Sequence, residues 1–199
     1  EKISNINKIA YLIYTSGTTS EPKGVPISHE MIEFTTKNIV KVLGYSKNDI
    51  DLTPLPLYHS FGLGCLHTSI YVGSTFVLLK NSNNLENVLN SLKKYNATTL
   101  AVVPATLTKL LKFEKQYLYE KFSNIRLIIT NSTSIPKETV NDFKQIVKNR
   151  KLATYYGLTE ASRSTFMIFN ENSKLDKSVG KSAPGVKIKI KKFDKKLLG

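Results

Sequence analysis

The sequence predicts an α/β fold, with a mainly parallel sheet flanked by helices. Three observations carry this. Short runs of β-branched and aliphatic residues alternate with longer segments whose apolar residues recur at helical spacing. Glycine, proline or a capping polar residue marks most of the junctions. No internal repeat, low-complexity segment or interdomain linker breaks the alternation over 199 residues, a length that buries a real core.

The elements follow in order. The apolar run 9–13 reads as a buried strand, and a loop rich in hydroxyls follows it. Ser28 caps a helix running to about Leu43, with His29 in its first turn and Gly44 as its stop. Residues 50–57 form a short strand broken by Pro54 and Pro56. The segment 58–64 opens a helix that runs to about Val72, Gly73 ends it, and 74–79 is a strand. Asn84 caps a helix with Leu85, Val88, Leu89 and Leu92 on one face. The strand 98–103 leads into Pro104 at a helix start. The strand 126–130 precedes a helix opened by Ser134 and Pro136, with Val140, Phe143, Ile146 and Val147 on one face. The strand 152–155 ends at a turn on Gly157, and Met167 lies on the strand after it. Residues 187–192 alternate lysine with apolar residues, which reads as a strand with one wet face. In such sheets ligands sit at the carboxyl ends of strands. The four loops around Gly17, His59, Asn131 and Gly157 all follow strands, so the topology lets them meet at one edge.

A net charge of +14 invites a nucleic-acid reading. Lysine carries nearly all of it, Arg126, Arg150 and Arg163 are the only arginines, and the lysines scatter over helices with little aromatic interleaving. We therefore expect a solvated lysine surface and no specific nucleic-acid partner. The lone cysteine, Cys65, excludes an internal disulfide and points to the cytosol or to no preference, so a cytoplasmic protein is expected. No signal-peptide pattern opens the chain, and no apolar run has membrane length, so no membrane span is expected.

The stretch Tyr14-Thr15-Ser16-Gly17-Thr18-Thr19-Ser20-Glu21-Pro22-Lys23-Gly24 is made largely of hydroxyls, glycines and one lysine. It offers backbone N–H and side-chain O–H donors to an anion, with a cation at its end. A polyphosphate needs such a cradle. The order differs from the Walker pattern, which places Gly-Lys-Ser/Thr after four spacers. A second motif, Thr154-Tyr155-Tyr156-Gly157-Leu158-Thr159-Glu160, follows a strand roughly 130 residues downstream.

Together these motifs resemble the phosphate-binding and adenylate-binding signatures of the adenylate-forming (AMP-binding) enzymes, particularly the acyl- and aryl-CoA ligases. The resemblance covers about residues 11–186. It implies that Thr15, Ser16, Gly17, Thr18, Thr19 and Lys23 hold the β- and γ-phosphates of ATP. It implies that Thr154, Tyr155, Tyr156 and Gly157 border the nucleotide, with Tyr156 stacking on adenine, and that Thr159 donates to the α-phosphate. Glu160 is the implied Mg²⁺ ligand, and Lys23, Thr159 and Glu160 are the implied catalytic residues. Thr133 falls at the small position beside adenine, although Asn131 and Ser132 replace glycines usual in that turn. His59 and Phe61 match an aromatic-His stretch that lines the acyl pocket, and Met167 falls on a strand bordering it. Amino-acid adenylation domains resemble Phe-Asp in that stretch, and no aspartate stands here; the resemblance thus favours an uncharged acyl or aryl tail. The turn 179–186 resembles the family's glycine-flanked turn into a final strand.

The implied reaction has two steps. A fatty or aryl acid attacks the α-phosphate of ATP, giving an acyl-adenylate and pyrophosphate. A thiol, CoA or a carrier-protein arm, then takes the acyl group. An amino-acid adenylation domain and a non-catalytic ATP-binding remnant are the alternatives. The family's ribose-binding aspartate, hinge and C-terminal lysine domain would come after Gly199. Residues 1–199 therefore read as part of an AMP-binding (adenylation) domain without the small C-terminal domain, and as nearly inactive alone.

Overall fold

A computed structural model describes residues 8–15, 22–80, 84–131, 133–147, 150–169 and 178–190. Strands β1 (Ile9–Thr15) and β2 (Lys23–Ser28) form an antiparallel hairpin, with Ile13 opposite Val25 and Thr15 opposite Lys23. This corrects the expectation that the hydroxyl-rich loop runs straight into a helix. Val25 and Ile27 are buried beside Ile13 while Pro26 between them is exposed, so six residues alternate as an edge strand.

Helix α1 (His29–Leu43) starts where the Ser28 hydroxyl accepts from the Met31 N–H at 3.2 Å, and ends at Gly44. Then come β3 (Ile50–Thr53), α2 (Ser60–Val72) and β4 (Thr75–Leu78). The first of these is shorter than expected, because Pro54 and Pro56 lack the N–H that a sheet ladder uses. Helix α3 (Leu85–Lys94) is capped by Asn84, which accepts from the Asn87 N–H at 2.9 Å. Next are β5 (Thr99–Ala101), α4 (Pro104–Leu110), α5 (Lys115–Lys121), β6 (Leu127–Thr130) and α6 (Lys137–Ile146). Strands β7 (Lys151–Tyr156), β8 (Thr165–Ile168) and β9 (Lys181–Ser182) complete the order. Residues 187–190 belong to no strand, contrary to expectation. Ile188 and Ile190 are exposed there, so the alternation has no paired neighbour among the described residues.

The main sheet has the order β4-β3-β5-β6-β7-β8-β9. Its first five strands are parallel and the last two antiparallel. Alternation along the strands splits the core into two layers. Leu52, Leu100, Ile128, Leu152 and Met167 face one cluster with Leu89, Leu107, Leu118 and Phe143 from α3 to α6. Ala101, Leu127, Ile129, Ala153, Tyr155 and Phe166 face the other, with Ile39 and Leu43 of α1 and Phe61 and Cys65 of α2. Each fully buried Leu or Phe contributes about 1.5–3 kcal/mol, so these layers hold the fold.

The amino ends of three strands are clamped by one ionic cluster. Arg126 donates from Nε and Nη2 to the two Asp49 carboxylate oxygens at 2.6 Å each, and Thr98 Oγ1 donates to Oδ1 at 2.8 Å. These residues stand just ahead of β6, β3 and β5. Burial alone would raise the Asp49 pKa, but Arg126, the Ser46 N–H and the Thr98 hydroxyl together hold it below its ordinary value. The opposite, carboxyl ends of the strands are left to carry loops.

Candidate active site

Those carboxyl ends open into three adjoining cavities. A cleft of about 370 Å³ is lined by Leu55, His59, Ser60, Phe61 and Gly62 after β3, Val103 after β5, Asn131 after β6, and Gly157 to Thr159 after β7. A second cavity of about 430 Å³ is lined by Asn131, Thr133, Ser134, Thr154, Tyr155, Tyr156 and Gly157. A third, of about 250 Å³, lies between the hairpin, α1, α2 and the turn 159–164. Its walls are mostly apolar and include Tyr11, Ile13, Ile27, Met31 and Ile39, with His67, Glu160 and Arg163 as polar members. Asn131 and Gly157 border the first two cavities, and Thr159 borders the first and third. One segment, Tyr156 to Ser164, thus runs along all three.

That segment folds back on itself. The Leu158 N–H donates to the Ala161 carbonyl and the Ala161 N–H donates to the Leu158 carbonyl, both at 3.2 Å. Thr159 and Glu160 stand at the tip. A Cβ at Gly157 would overlap the Arg163 backbone nitrogen and lie 2.8 Å from the Ala161 carbonyl oxygen. Gly157 therefore makes room for the chain's own turn, where the sequence suggested room for a nucleotide.

The sequence-predicted residues divide into groups. Thr133, Thr154, Tyr155, Tyr156 and Gly157 share the second cavity, with Tyr156 half-exposed at 51%. His59, Phe61 and Thr159 share the cleft. Glu160 is exposed at the edge of the third cavity, and its carboxylate has no ion pair or hydrogen bond among the described residues. Thr15 and Lys23 face each other at the base of the hairpin loop, where the Thr15 hydroxyl donates to the Lys23 carbonyl at 3.4 Å. They line none of these three cavities. Ser16, Gly17, Thr18 and Thr19 lie outside the described residues. Met167 stands apart: it is 1% exposed in the core layer under α3 to α6 and lines none of the three cavities, while Phe166 and Ile168 take the other face of β8.

Phe61 and Tyr155 tie the cleft to the core. Their rings meet edge to face, with centroids 5.4 Å apart. Burial pushes the Tyr155 phenol up to about 12; Arg163 pulls the other way, as does the Asn131 amide, which acts from beyond ordinary hydrogen-bond geometry.

Sequence reasoning missed Arg163. Its φ of 57° is left-handed, which costs a non-glycine residue about 1–2 kcal/mol. The residue is 5% exposed. Nη2 donates to the Ser60 carbonyl at 3.1 Å, Nη1 to the Ser162 hydroxyl at 2.6 Å, and the guanidinium lies 4.8 Å from the Tyr155 ring centroid. Nε has no partner, and no carboxylate pairs with the group among the described residues. Its charge is felt around the third cavity. Burial lowers the His67 pKa, and Arg163 lowers it further. The available signal was one of only three arginines in a lysine-rich chain, standing three residues after Glu160.

The family model described as AMP-binding enzyme matches residues 1–198. An acyl-CoA synthetase 7 from Caenorhabditis elegans is 29% identical, covering 97% of this chain and 37% of its own length. A 2-succinylbenzoate–CoA ligase from Lactococcus lactis subsp. lactis is 34% identical, over 94% of this chain and 40% of its own. The structure of an o-succinylbenzoate CoA synthetase from Bacillus subtilis, in complex with an acyl-adenylate intermediate, superposes with a TM-score of 0.82. It is 27% identical over 94% of this chain and 38% of that one. The chain thus spans about two fifths of the length of these relatives. The chain belongs to the AMP-binding enzyme family.

Proposed function

We propose that the protein of which this chain is part activates a carboxylic acid with ATP and passes the acyl group to a thiol such as CoA. The observation that carries this is the Tyr156–Ser164 segment bordering three cavities of different character. The cavity at Tyr156 and Thr133 suits a purine and its sugar. The mostly apolar cavity suits the body of an organic acid. Thr159, shared by that cavity and the cleft, stands between them, where the acid must meet the α-phosphate. One acid oxygen bonds to the α-phosphorus as the bond to the bridging oxygen breaks, and pyrophosphate leaves with that electron pair.

The residues here act by binding and orientation, which supply much of the catalysis in such a transfer. The Thr159 hydroxyl donates to a phosphate oxygen. Lys23 carries positive charge beside the loop that takes the terminal phosphates. The Glu160 carboxylate, exposed and without a protein partner among the described residues, suits Mg²⁺, which takes one or two carboxylates with phosphate oxygens and water. The ion's chemistry is to neutralise phosphate charge.

CoA is the favoured acceptor, because all three relatives above are named CoA ligases or CoA synthetases. A carrier-protein thiol is the second possibility. The buried Arg163 disfavours the amino-acid reading, since it would repel a substrate ammonium. The lone buried cysteine supports a reducing, cytoplasmic setting. Among the described residues, no helix is long and apolar enough to cross a membrane.

The test is acid-dependent ATP–pyrophosphate exchange on the full parent protein, across fatty, aryl and amino acids. Exchange with a fatty or aryl acid that Glu160→Ala abolishes is the expected result. Exchange with amino acids alone would replace this reading by the amino-acid one. ATP binding with no exchange would leave a binding remnant.

A further inference from the structure

We infer that the acid this site takes carries a second carboxylate, held by Arg163 on the wall of the apolar cavity. The inference rests on the adenylation reading for the first carboxylate and goes beyond it for the second. It narrows the expectation of an uncharged tail drawn from the sequence.

The argument begins with charge. Arg163 is 95% buried by side-chain packing, and no carboxylate neutralises it among the described residues. A buried cation is costly unless it is paired and hydrogen-bonded. Carbonyls, a hydroxyl and the Tyr155 face satisfy part of the guanidinium. Nε–H is left without a partner. An arginine fork is shaped for a carboxylate, and a charge-assisted pair is the strongest hydrogen bond it makes.

Position supplies the second part. Arg163 borders the cavity of about 250 Å³, and so does Thr159. The two are four residues apart in a turned segment, so their separation stays below about 14 Å. A short acid can therefore reach from the Thr159 end to the guanidinium. The apolar walls of the same cavity include Ile13, Ile27, Met31 and Ile39, which suit methylenes or a ring. Nearby groups do not compete for the role. His67 has its pKa lowered, and the Tyr11 phenol has its pKa raised by burial, so both are neutral near pH 7 and leave Arg163 as the anchoring cation.

The test compares matched acids on the parent protein: butanoate with succinate, hexanoate with adipate, benzoate with terephthalate. Exchange kinetics are read for the native protein, Arg163→Met and Arg163→Lys. In at least one pair the dicarboxylate should exceed its partner in kcat/KM by roughly tenfold or more. Arg163→Met should erase that advantage, mainly through KM, and Arg163→Lys should keep part of it. Native protein that favours the monocarboxylate in every pair overturns the inference while adenylation stands. If no acid supports exchange, the adenylation reading fails, and calorimetric binding of the same acids decides the inference. Dicarboxylate binding lost in Arg163→Met sustains it, and equal or absent binding overturns it. If circular dichroism shows either variant misfolded, the native comparison of paired acids decides alone.

Discussion

The Cα of Gly64 lies directly beneath the guanidinium of Arg163. A Cβ at that position would overlap Nη2 and stand 3.0 Å from Nη1. The glycine sits inside α2, where it forgoes about 1 kcal/mol of helix propensity. The reason is close approach: the missing side chain is the space into which the arginine head fits. Helix α2 and the turn after β7 therefore meet through one glycine and one cation, and together they shape the inner end of the apolar cavity.

Gly64→Ala should cost about 1–3 kcal/mol of stability, the usual range for inserting a carbon into a filled site. It should also disturb the choice of acid more than the affinity for ATP, because the nucleotide cavity borders other residues. Urea unfolding measures the first effect. Separate KM values for acid and ATP on the parent protein measure the second. An unchanged acid KM would show that the arginine head has room to move.

Glu160→Ala should lower exchange about 10²–10³-fold, the range seen when one aligned electrostatic partner is removed from a charged transition state. Folding should not suffer, since the side chain is exposed and unpartnered among the described residues. Exchange rates set beside melting curves check both parts. Activity lost together with stability would remove Glu160 from the site.

Met167 separates packing from function. Met167→Leu should be nearly neutral, and Met167→Ala should cost about 2–5 kcal/mol, as expected for a fully buried side chain. Neither should change which acid is used, because the residue lines none of the three cavities. The same acid panel on Met167→Leu checks this, and a shifted preference would put Met167 back on the pocket wall.

Local chemistry was legible in the sequence. Ser28 and Asn84 cap their helices as their side chains suggest, and Gly44 and Gly73 end theirs. The loops after β3, β6 and β7 meet as a parallel sheet requires. What was missed depends on distant partners. Lys23–Ser28 is short and contains Pro26, and only its pairing with Ile9–Thr15 makes it a strand. Met167 and Phe166 are both apolar, and only the register of β8 decides which core layer each one joins. Arg163 received no role from the sequence, because the carbonyls that bury it come from Ser60 and Phe61, about a hundred residues earlier.

The acid limb of stability should carry the mark of Asp51. This carboxyl is fully buried under α2, where it accepts hydrogen bonds from Thr99 Oγ1 and, at 3.5 Å, from Ser69 Oγ. Burial raises its pKa from an ordinary 3.8 to about 6; the Thr99 bond opposes this and the Asp49 charge adds to it. Below about pH 4 the folded and unfolded chains both hold the proton, and the group costs nothing. Between about pH 4 and 6 the unfolded chain releases the proton and the folded chain keeps it. Stability should therefore fall across that window, by about 2–3 kcal/mol, and stay level above it. Asp49 acts in the opposite sense and at lower pH, since its folded pKa lies below 3.8, so its contribution is lost only as the solution becomes more acid. Asp51→Asn isolates the effect, because it keeps an acceptor for Thr99 and cannot ionise. Urea unfolding at pH 4 and pH 7 should show the native protein losing about 2–3 kcal/mol relative to Asp51→Asn on going to the higher pH. Parallel changes in the two proteins would assign the pH dependence to other groups.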